Sequence, residues 1–416
     1  MKRRVVITGM GTVNPLGNDP AATWDAVKAG RCGIDFITQF DPSGQKVKLA
    51  GEVKDLDITA YIEKKEARKM DRYTQLAMVA AKQAFADSAL NPAAYDATRC
   101  GVIMSSGIGG LGTIEAEHSK GLEKGFDRVS PFFIPMSICN MAAGQIAIEC
   151  GFQGLCTAVV TACAGGTNAI GDGFHYIRDG YAEVMLCGGA EGCITPMAVG
   201  GFTSMKALNT DNDPARASIP FDKARSGFVM GEGAACLMLE EYQHAKARGA
   251  KIYGELVGYG ATCDAHHITA PAPDGAGAAS CMQVALRDAG LTPCDIGYIN
   301  AHGTSTPMND RCETAAIKTV FGADTTVMVS STKSMTGHLL GASGAVEALI
   351  TVLAIQNAFI PATIHYLLPD EDCDLDIVPN VGREIGVRYA LSNSLGFGGH
   401  NASLIFKKYE EEAVCN

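Results

Sequence analysis

The chain has 416 residues, of which 47% are hydrophobic and 19% are charged, and its net charge is −11 at pH 7. This composition is typical of a well-packed α/β enzyme and excludes a disordered or fibrous chain. The acidic balance argues against nucleic acid as a partner. Because we find no signal-peptide core at the N-terminus and no apolar run long enough to cross a bilayer, we expect a soluble, cytoplasmic protein with no membrane partner.

Strands and helices are predicted to alternate along the chain. The first half shows a strand, a long helix, three strands and a strand followed by a helix, at residues 3–11, 71–90, 99–106, 151–163, 182–191 and 233–250. The second half shows a strand, a helix, a strand, a strand-to-helix turn and a final strand pair, at residues 251–260, 275–290, 296–303, 327–350, 385–399 and 402–408. This alternation predicts βαβ architecture with a mostly parallel sheet in each half.

The two predicted halves resemble each other. Each opens with strand, helix and strand, and each later places a reactive-looking residue at a strand-to-helix turn. We therefore predict an internal duplication, with an N-terminal half at residues 1–250 and a C-terminal half at residues 251–416.

The 15 cysteines do not suggest a disulfide framework, because most of them lie in apolar segments of a long chain. We expect reduced, buried thiols. No CxxC pair is present, so a structural zinc site is not expected. In "TCDAHHIT", residues 262–269, Cys263, Asp264, His266 and His267 lie close together, but their spacing fits no common metal site.

A glycine-rich stretch, "GIGGLG" at residues 107–112, satisfies the GxGxxG pattern of a dinucleotide-binding loop. Such a site also needs a second strand that ends in an acid about 20 residues further on. The segment that follows, "FDRVSPFFIPMSICN", is broken by prolines and contains no such pair, and the P-loop pattern GxxxxGK[ST] does not occur in the chain. We expect neither a nucleotide nor another cofactor.

Cys163 stands in "VVTACAGG", residues 159–166, where an apolar strand ends and a helix begins. It is either a packing residue or a nucleophile. The second interpretation is possible because the N–H groups of a helix start, or a cationic partner, lower the pKa of a thiol. Two histidines in loops rich in Ser, Thr and Gly are candidate partners: His302 in "NAHGTSTPMND" and His338 in "STKSMTGHLLGASG". Spacing alone leaves both interpretations open.

Four longer blocks carry a family resemblance: "TACAGGTNAIGDG", "INAHGTSTPMND", "SSTKSMTGHLLGASG" and "NSLGFGGHNASLIF". Together they resemble the β-ketoacyl-[acyl-carrier-protein] synthases, the condensing enzymes of fatty-acid synthesis, nearly from end to end. Three further blocks, "ARKMDRYTQLAMVAAKQAF", "SPFFIPMSICNMAAGQIAI" and "FDKARSGFVMGEGA", resemble the elongating type II enzymes of bacteria. The resemblance implies the thiolase fold, with two similar halves in a layered αβαβα arrangement, and a homodimer.

The resemblance also implies a two-stage reaction. Cys163 would take the acyl group from acyl-carrier protein, with the backbone N–H groups of Cys163 and Phe397 as the oxyanion hole. Malonyl-carrier protein would then lose carbon dioxide, and neutral His302 and His338 would stabilise the negative charge that forms on the thioester oxygen. Lys333 would set the electrostatics of the site. Glu347 would be an orienting carboxylate or would hold a monovalent cation with Asn300 and Asn393, although an ordinary helical role is also open.

The same residues separate the branches of this family. Initiating synthases pair the cysteine with one histidine and an asparagine, thiolases use a second cysteine, and chain-length factors lack the nucleophile. The pair of His302 and His338 with Cys163 therefore favours the elongating class. His400 is a departure, since many members carry threonine after "GFGG".

Substrate contacts follow from the resemblance as well. Thr304 and Thr306 would bind the phosphopantetheine arm of the carrier protein, and Thr269 is a further substrate-binding candidate. Three residues match positions that line or gate the acyl pocket in relatives: Ile108, Phe133 and Phe202. The alternative for each of these three is a plain core position.

A basic face is expected to dock the acidic carrier protein. In "KKEARKMDR" four basic residues have the spacing i, i+3, i+4 and i+7 of one helical face: Lys65, Arg68, Lys69 and Arg72. Lys206 and Arg128 are weaker additions. The rival interpretation is a solvated charged face. Three rival functions also stay open: a discrete polyketide ketosynthase, a thiolase-like enzyme acting on acyl-CoA, and a relative without chemistry.

Overall fold

A ten-stranded sheet organises the protein in a computed structural model, which describes residues 2–91 and 95–411. The strands within these residues are β1 (Val5–Val13), β2 (Ile34–Phe36), β3 (Leu49–Gly51), β4 (Cys100–Ser105), β5 (Cys156–Val159), β6 (Val184–Glu191), β7 (Gly233–Glu241), β8 (Gly254–Cys263), β9 (Ile296–Asn300), β10 (Met328–Ser330), β11 (Tyr389–Gly396) and β12 (His400–Lys407). Of these, β2 and β3 form a separate two-stranded sheet.

The α-helices connect these strands. Within the described residues they are α1 (Pro20–Lys28), α2 (Lys64–Ala67), α3 (Arg72–Asp87), α4 (Leu111–Lys124), α5 (Phe133–Ser137), α6 (Met141–Cys150), α7 (Gly165–Arg178), α8 (Pro196–Ser204), α9 (Pro214–Ala217), α10 (Tyr242–Ala247), α11 (Ala276–Ala289), α12 (Pro307–Phe321), α13 (Lys333–Thr336) and α14 (Ser343–Asn357). Short 3₁₀ turns include Ala162–Ala164 and Leu340–Ala342.

The strand order divides the large sheet into two halves with the same topology. The order is β10-β9-β11-β12-β8-β1-β7-β6-β4-β5, so that each strand of one half matches the strand of the same rank in the other. The halves meet where β1 pairs with β8 through Val5, Val6 and Ile7. Equal topology is what an internal duplication predicts, while the division at residue 250 itself stays a prediction.

Helices lie on both faces of each half of the sheet. Two of them, α7 and α14, contact strands of both halves and form the central layer. Helices α3 and α6 pack on the other face of the first half, and α11 packs on that of the second with α12 against it. In β4, Ile103 faces the central core while Val102 and Met104 face the outer one, as alternation along a strand requires. The layers are therefore α, β, α, β, α, as expected.

The expectation of a mostly parallel sheet is wrong. In the first half β4 is parallel to β5 and β6, but β7 is antiparallel to both β6 and β1. The second half repeats this pattern, with β12 antiparallel to β11 and β8. The reason is that the last strand of each half returns beside the first one. A tight turn at residues 397–399 makes this return between β11 and β12.

One segment, Leu340–Asn357, is long and apolar enough by composition to span a membrane, contrary to our expectation from the sequence. In the structure 89% of this window is buried inside the protein. The segment forms a 3₁₀ turn and α14, in the central layer between the two halves of the sheet. Its apolar character is therefore accounted for by the core.

Candidate active site

Cys163, His302 and His338 line one cavity of about 800 Å³. Each follows the C-terminal end of a strand: Cys163 follows β5, His302 follows β9 and His338 follows β10. Phe397, which comes directly after β11, lines the same cavity. The structure thus brings together four of the five residues expected to carry the chemistry, from both halves of the chain, while the fifth, Lys333, is not part of the cavity lining.

Cys163 lies in the 3₁₀ turn that leads into α7, and it is only 8% exposed. The preceding residue, Ala162, has a φ of 49°, a left-handed conformation that costs a non-glycine residue ~1–3 kcal/mol. Gly396 packs against this turn, since a Cβ there would lie 3.2 Å from the backbone nitrogen of Cys163. The absence of a side chain at Gly396 therefore lets the "LGFGG" segment approach the thiol.

A helix start was expected to lower the pKa of the Cys163 thiol. Instead, this pKa rises to about 12. Burial is the largest cause, and the buried carboxylate of Glu191 adds to it. The charge of Lys333 and the backbone N–H groups of Phe397 and Cys163 act in the opposite direction. A helix N-terminus supplies no more than ~2 kcal/mol, which does not offset full burial. The resting site therefore holds a neutral thiol with two N–H groups directed at its sulfur.

His302 and His338 form a pair of buried rings, with centroids 5.3 Å apart and planes at 86°. Burial and the positive charge of Lys333 lower the pKa of both rings well below the usual value, so both are neutral near pH 7. Ser343 lies 2.9 Å from Nδ1 of His338 and can donate its proton there, which leaves the Nε2 proton free to donate. The backbone N–H of His302 donates to Glu313 (2.8 Å) and fixes the loop.

Lys333 and Glu347 form an ion pair at the back of the site, and their side chains are 1% and 3% exposed. Burial raises the pKa of Glu347 to about 7, while Lys333 counteracts this. The side-chain amide of Asn300 donates to the backbone carbonyl of Glu347 (3.4 Å), and that of Asn393 approaches Glu313 at 3.4 Å. Of the three residues named for a monovalent cation, Asn300 thus lies beside Glu347, whereas the side chain of Asn393 lies beside Glu313, and Lys333 already neutralises the Glu347 carboxylate.

Four of the six predicted substrate residues border the cavity, namely Thr304, Thr306, Thr269 and Phe202, and so does Lys206, which was predicted to dock the carrier protein. The hydroxyls of Thr304 and Thr306 are 2.9 Å apart. Ile108 is not part of this lining but packs on the apolar cluster that contains Cys163. Phe133 also lies outside the lining, because it begins α5, which packs on α4.

The predicted basic helical face is wrong in its geometry. Helix α2 ends at Ala67 and α3 begins at Arg72, so Lys65, Arg68, Lys69 and Arg72 do not share one helix. Asp71 caps α3 by accepting the Tyr73 N–H, which starts a new helix there. Arg72 binds the buried carboxylate of Glu232 at 2.5 Å.

The other three residues of this region have different surroundings. Lys69 pairs with Glu66, while Lys65 and Arg68 remain exposed. Arg128 ends a 3₁₀ turn in a different part of the first half, and Lys206 is exposed at the cavity. The basic group near α2 therefore includes the exposed Lys65 and Arg68 and the half-buried Lys69.

Sequence reasoning missed several residues that shape the site. Glu191 accepts hydrogen bonds from the backbone N–H groups of Gly107, Ile108 and Gly341 and from the Ser106 hydroxyl. These bonds also explain why "GIGGLG" is not a phosphate-binding loop, because backbone amides that a phosphate would need already donate to Glu191. Glu191 ends an otherwise apolar strand, and a carboxylate in that position was the available clue.

Two more missed groups are Glu313 and Phe228. Glu313 lies on the buried face of α12, and the Phe228 ring packs edge-on against His338 with centroids 5.1 Å apart. Glu313 stands three and four residues before the buried Ala316 and Ile317, so it shares their helix face, and this spacing could have indicated its burial. Nothing in the sequence pattern pointed to Phe228.

No cluster of three potential metal ligands occurs within residues 2–91 and 95–411. In the "TCDAHHIT" segment, Asp264 and Thr269 line the cavity, whereas the ring of His267 accepts the backbone N–H groups of Thr269 and Ala270 (3.1 and 3.2 Å). This segment is therefore a wall of the cavity in the structure.

Comparison with known proteins shows the family of this chain. Residues 2–245 match the β-ketoacyl synthase N-terminal domain, and residues 253–367 match the C-terminal domain of the same family. A 3-oxoacyl-[acyl-carrier-protein] synthase 2 of Staphylococcus aureus (strain COL) is 53% identical over 409 residues, which cover 98% of this chain and 99% of the relative. One of the same name from Synechocystis sp. is 53% identical over 411 residues, with the same coverage of both chains. The chain belongs to the β-ketoacyl synthase family.

Solved structures agree with this assignment. A β-ketoacyl synthase from Burkholderia phymatum STM815 has a TM-score of 0.92 at 37% identity, covering 99% of this chain and 100% of that one. A ketosynthase in a type II PKS complex with its acyl-carrier protein, bound to the hexaketide, has a TM-score of 0.91 at 33% identity, covering 98% and 100%. The fold is the thiolase fold of the ketosynthases.

Proposed function

We propose that the chain is an elongating condensing enzyme of fatty-acid synthesis. It joins an acyl group from acyl-carrier protein to malonyl-carrier protein and yields 3-oxoacyl-carrier protein, carbon dioxide and free carrier protein. The observation that carries this proposal is the convergence of Cys163, two neutral histidines and the Phe397 amide on one cavity. The identity of 53% to relatives named for this activity supports it.

In the first stage the sulfur of Cys163 attacks the thioester carbonyl of acyl-carrier protein. The N–H groups of Phe397 and Cys163, which lie against the sulfur, hold the oxyanion as the carbonyl becomes tetrahedral. A donor of this kind is typically worth ~3–4 kcal/mol of transition-state stabilisation. The thiol proton leaves with the thiol of the carrier arm, so that the acyl-enzyme and free carrier protein are the products.

In the second stage the malonyl thioester loses carbon dioxide. The electrons of the broken C–C bond form an enolate, and its oxygen accepts hydrogen bonds from the Nε2–H groups of His302 and His338. Neutral rings suit this role because they donate without holding the enolate as a fixed ion pair, and burial keeps both pKa values low. The enolate carbon then attacks the acyl carbonyl on Cys163, the C–S bond breaks, and the Cys163 thiolate takes up a proton from water to restore the neutral thiol.

The mouth of the cavity fits a carrier arm. Three side chains of its lining are exposed and apolar: Met205, Ile268 and Met308. Thr304 and Thr306 lie on the wall and offer hydroxyls to the amides of phosphopantetheine. Lys206 stands at the mouth, and the basic group near α2, with Lys65 and Arg68 exposed and Lys69 half-buried, is available to the acidic carrier protein.

Other parts of the proposal rest on chemistry and composition. The condensation itself needs no metal or redox cofactor, and Glu347, Asn300 and Asn393 are the residues we propose for a monovalent cation. We also propose a cytoplasmic homodimer. In support, β5 is an edge strand, and the exposed Ile148 and Val160 lie on and beside elements that border it.

The discrete polyketide ketosynthase is the second candidate, because one solved neighbour is such an enzyme. Its 33% identity is well below the 53% shared with 3-oxoacyl-[acyl-carrier-protein] synthase 2. Fatty-acid elongation is therefore favoured.

Intact-protein mass spectrometry with tryptic mapping tests the proposal. The full chain is incubated with acyl-carrier protein and then with malonyl-carrier protein. We expect an acyl mass on Cys163 that disappears in the second step, with a ketoacyl product two carbons longer than the acyl donor. An adduct from acyl-CoA but none from acyl-carrier protein would contradict the proposal and favour a thiolase-like enzyme.

A further inference from the structure

A chain of hydrogen bonds runs from the nucleophile turn to the second half of the sheet. The hydroxyl of Thr161 donates to the side-chain carbonyl of Asn168 (2.7 Å). The side-chain amide of Asn168 donates to the Tyr259 hydroxyl (2.6 Å), which lies 3.3 Å from the carboxylate of Asp172 and can donate to it. Every member donates in the same direction, and the chain ends on a carboxylate. The order of donors is therefore determined, with no group left in conflict.

The chain connects elements that are distant in sequence. Thr161 stands two residues before Cys163, while Asn168 and Asp172 lie on α7 directly behind the turn. Tyr259 lies on β8, the first strand of the second half of the sheet. The turn that presents the nucleophile is thus tied to a strand from the other half.

The packing around Tyr259 is built for this contact. A Cβ at Gly171 would lie 2.3 Å from the tyrosine ring, so only glycine lets the ring lie flat against α7. The ring of His175, one turn further along α7, also packs edge-on against the tyrosine ring with a centroid distance of 5.1 Å. Because both neighbours hold the ring, its hydroxyl has one position, and that position is beside Asn168.

The turn itself requires such support. Ala162 is held at a φ of 49° and Thr161 at a φ of −130° with a ψ of 42°. The Thr161 side-chain bond and the bond from the Ala164 N–H to the Thr161 carbonyl (3.1 Å) both constrain this residue. A residue that constrains the backbone here also sets the direction of the Cys163 thiol.

We propose that Thr161, Asn168 and Tyr259 are positioning residues for Cys163, an inference that rests on the proposed function. They hold the thiol against the Phe397 amide and in register with the two histidines. None of the three touches the reacting atoms. Loss of the chain therefore slows attack by Cys163 on a thioester, while malonyl decarboxylation, which needs His302 and His338 but no sulfur, continues.

The test compares four variants of the full chain. Tyr259→Phe removes the hydroxyl but keeps the ring against Gly171 and His175. Thr161→Val removes the hydroxyl at the other end of the hydrogen-bond chain, whereas Thr161→Ser keeps a hydroxyl there. Tyr253→Phe is the matched control, because the Tyr253 hydroxyl also donates to a carboxylate, that of Asp87 (2.7 Å), away from the cavity.

Three rates are measured for each variant: alkylation of Cys163 by iodoacetamide, acylation by acyl-carrier protein, and decarboxylation of malonyl-carrier protein. We expect Tyr259→Phe and Thr161→Val to slow alkylation and acylation about 5- to 10-fold, which corresponds to the loss of one hydrogen bond. Decarboxylation should be unchanged. Thr161→Ser and Tyr253→Phe should match the wild type. A parallel loss of decarboxylation, or alkylation and acylation at the wild-type rate in Tyr259→Phe, would overturn the proposal.

The same experiment separates this inference from the proposed function. If the wild type is not acylated by acyl-carrier protein, the proposed function fails. The alkylation rates need no carrier protein, so they still decide whether Thr161 and Tyr259 position the thiol.

Discussion

The turns that follow β5 and β10 occupy matching places in the two halves of the protein, yet they carry different chemistry. Cys163 lies in the short turn between β5 and α7, and Lys333 and His338 lie between β10 and α14. Strands β5 and β10 are the two edges of the ten-stranded sheet. Their turns reach one cavity because the halves of the sheet enclose the layer that α7 and α14 form.

The electrostatics of the two turns differ. The turn after β5 holds a neutral thiol, whose pKa rises to about 12 with burial. Lys333, in the turn after β10, pairs with Glu347 on α14, and burial together with the positive charge of Lys333 lowers the pKa of His302 and His338. One scaffold of strand, turn and buried helix thus carries the proposed nucleophile in one half and a buried charged pair in the other.

Cys163→Ala is the strongest way to separate the two turns. We expect condensation to fall by about three orders of magnitude or more, because no other group accepts the acyl chain. Decarboxylation of malonyl-carrier protein should continue, since it depends on the turn after β10 and on His302. Product analysis and carbon dioxide release measure the two activities side by side.

The control for this variant is His338→Ala, which should lose decarboxylation but still accept an acyl group on Cys163. If Cys163→Ala abolishes both activities while its thermal unfolding is unchanged, the division of labour between the turns is wrong.

Lys333→Met breaks the charged turn instead. Removing Lys333 leaves a buried Glu347 that must either stay charged without a partner or take up a proton at pH 7, so we expect a loss of ~3–5 kcal/mol in the free energy of unfolding. The double variant Lys333→Met with Glu347→Leu should recover most of that loss, because both charges are then absent. Urea denaturation of the three proteins at pH 7 gives the comparison.

The pH dependence of Lys333→Met sharpens this result. Burial already raises the pKa of Glu347 to about 7, and loss of Lys333 removes the charge that lowers it. The destabilisation should therefore shrink as the pH falls and Glu347 takes up a proton. Equal destabilisation at pH 6 and pH 8 would mean that lost packing, rather than charge, is the cause.

Charge reversal in the basic group near α2 tests whether the first half also docks the carrier protein. Lys65→Glu with Lys69→Glu should raise KM for carrier-protein substrates about 10-fold, as expected when attraction to an acidic partner becomes repulsion. Acylation by a small thioester should be nearly unchanged. Lys28→Glu with Arg287→Glu is a control with the same change of net charge on other surfaces. An equal loss with both substrates would indicate a stability effect.

Much of this arrangement could be predicted from the sequence, because the strand-to-helix turns are marked by apolar runs that stop at Gly, Ser and Thr. The elements around Cys163, His302 and His338 were expected and found, and the family blocks identified the fold. The helical face at residues 64–72 was wrong because Asp71 starts a new helix, a capping effect that spacing does not reveal.

Other features depend on contacts between distant segments. The raised pKa of Cys163 follows from burial under the Gly396 segment and beside Glu191, and neither contact is visible in the local sequence. The same holds for Ser343 beside His338 and for Phe228 against its ring. Local patterns predict where a reactive group stands, whereas its protonation state is a property of the assembled core.

The smallest predicted effect concerns the two buried histidines and the stability of the fold. Their folded-state pKa values lie well below the usual value, so the unfolded chain binds more protons as the pH falls below about 6.5. Each histidine therefore costs up to ~1.4 kcal/mol of stability per pH unit below that point. Urea denaturation at pH 7.5 and pH 5.5 should show this loss, and His338→Gln should reduce it.

His244 provides a control of opposite sign. Its pKa is raised by a hydrogen bond to Glu240, so its contribution to stability is present below the unfolded pKa and is lost as the pH rises through the folded value. His244→Gln should therefore destabilise the protein more at pH 5.5 than at pH 7.5 and should steepen the loss on acidification. If His338→Gln and His244→Gln change the pH dependence in the same direction, His338 is not a buried neutral ring, and the contrast between the two turns loses its electrostatic basis.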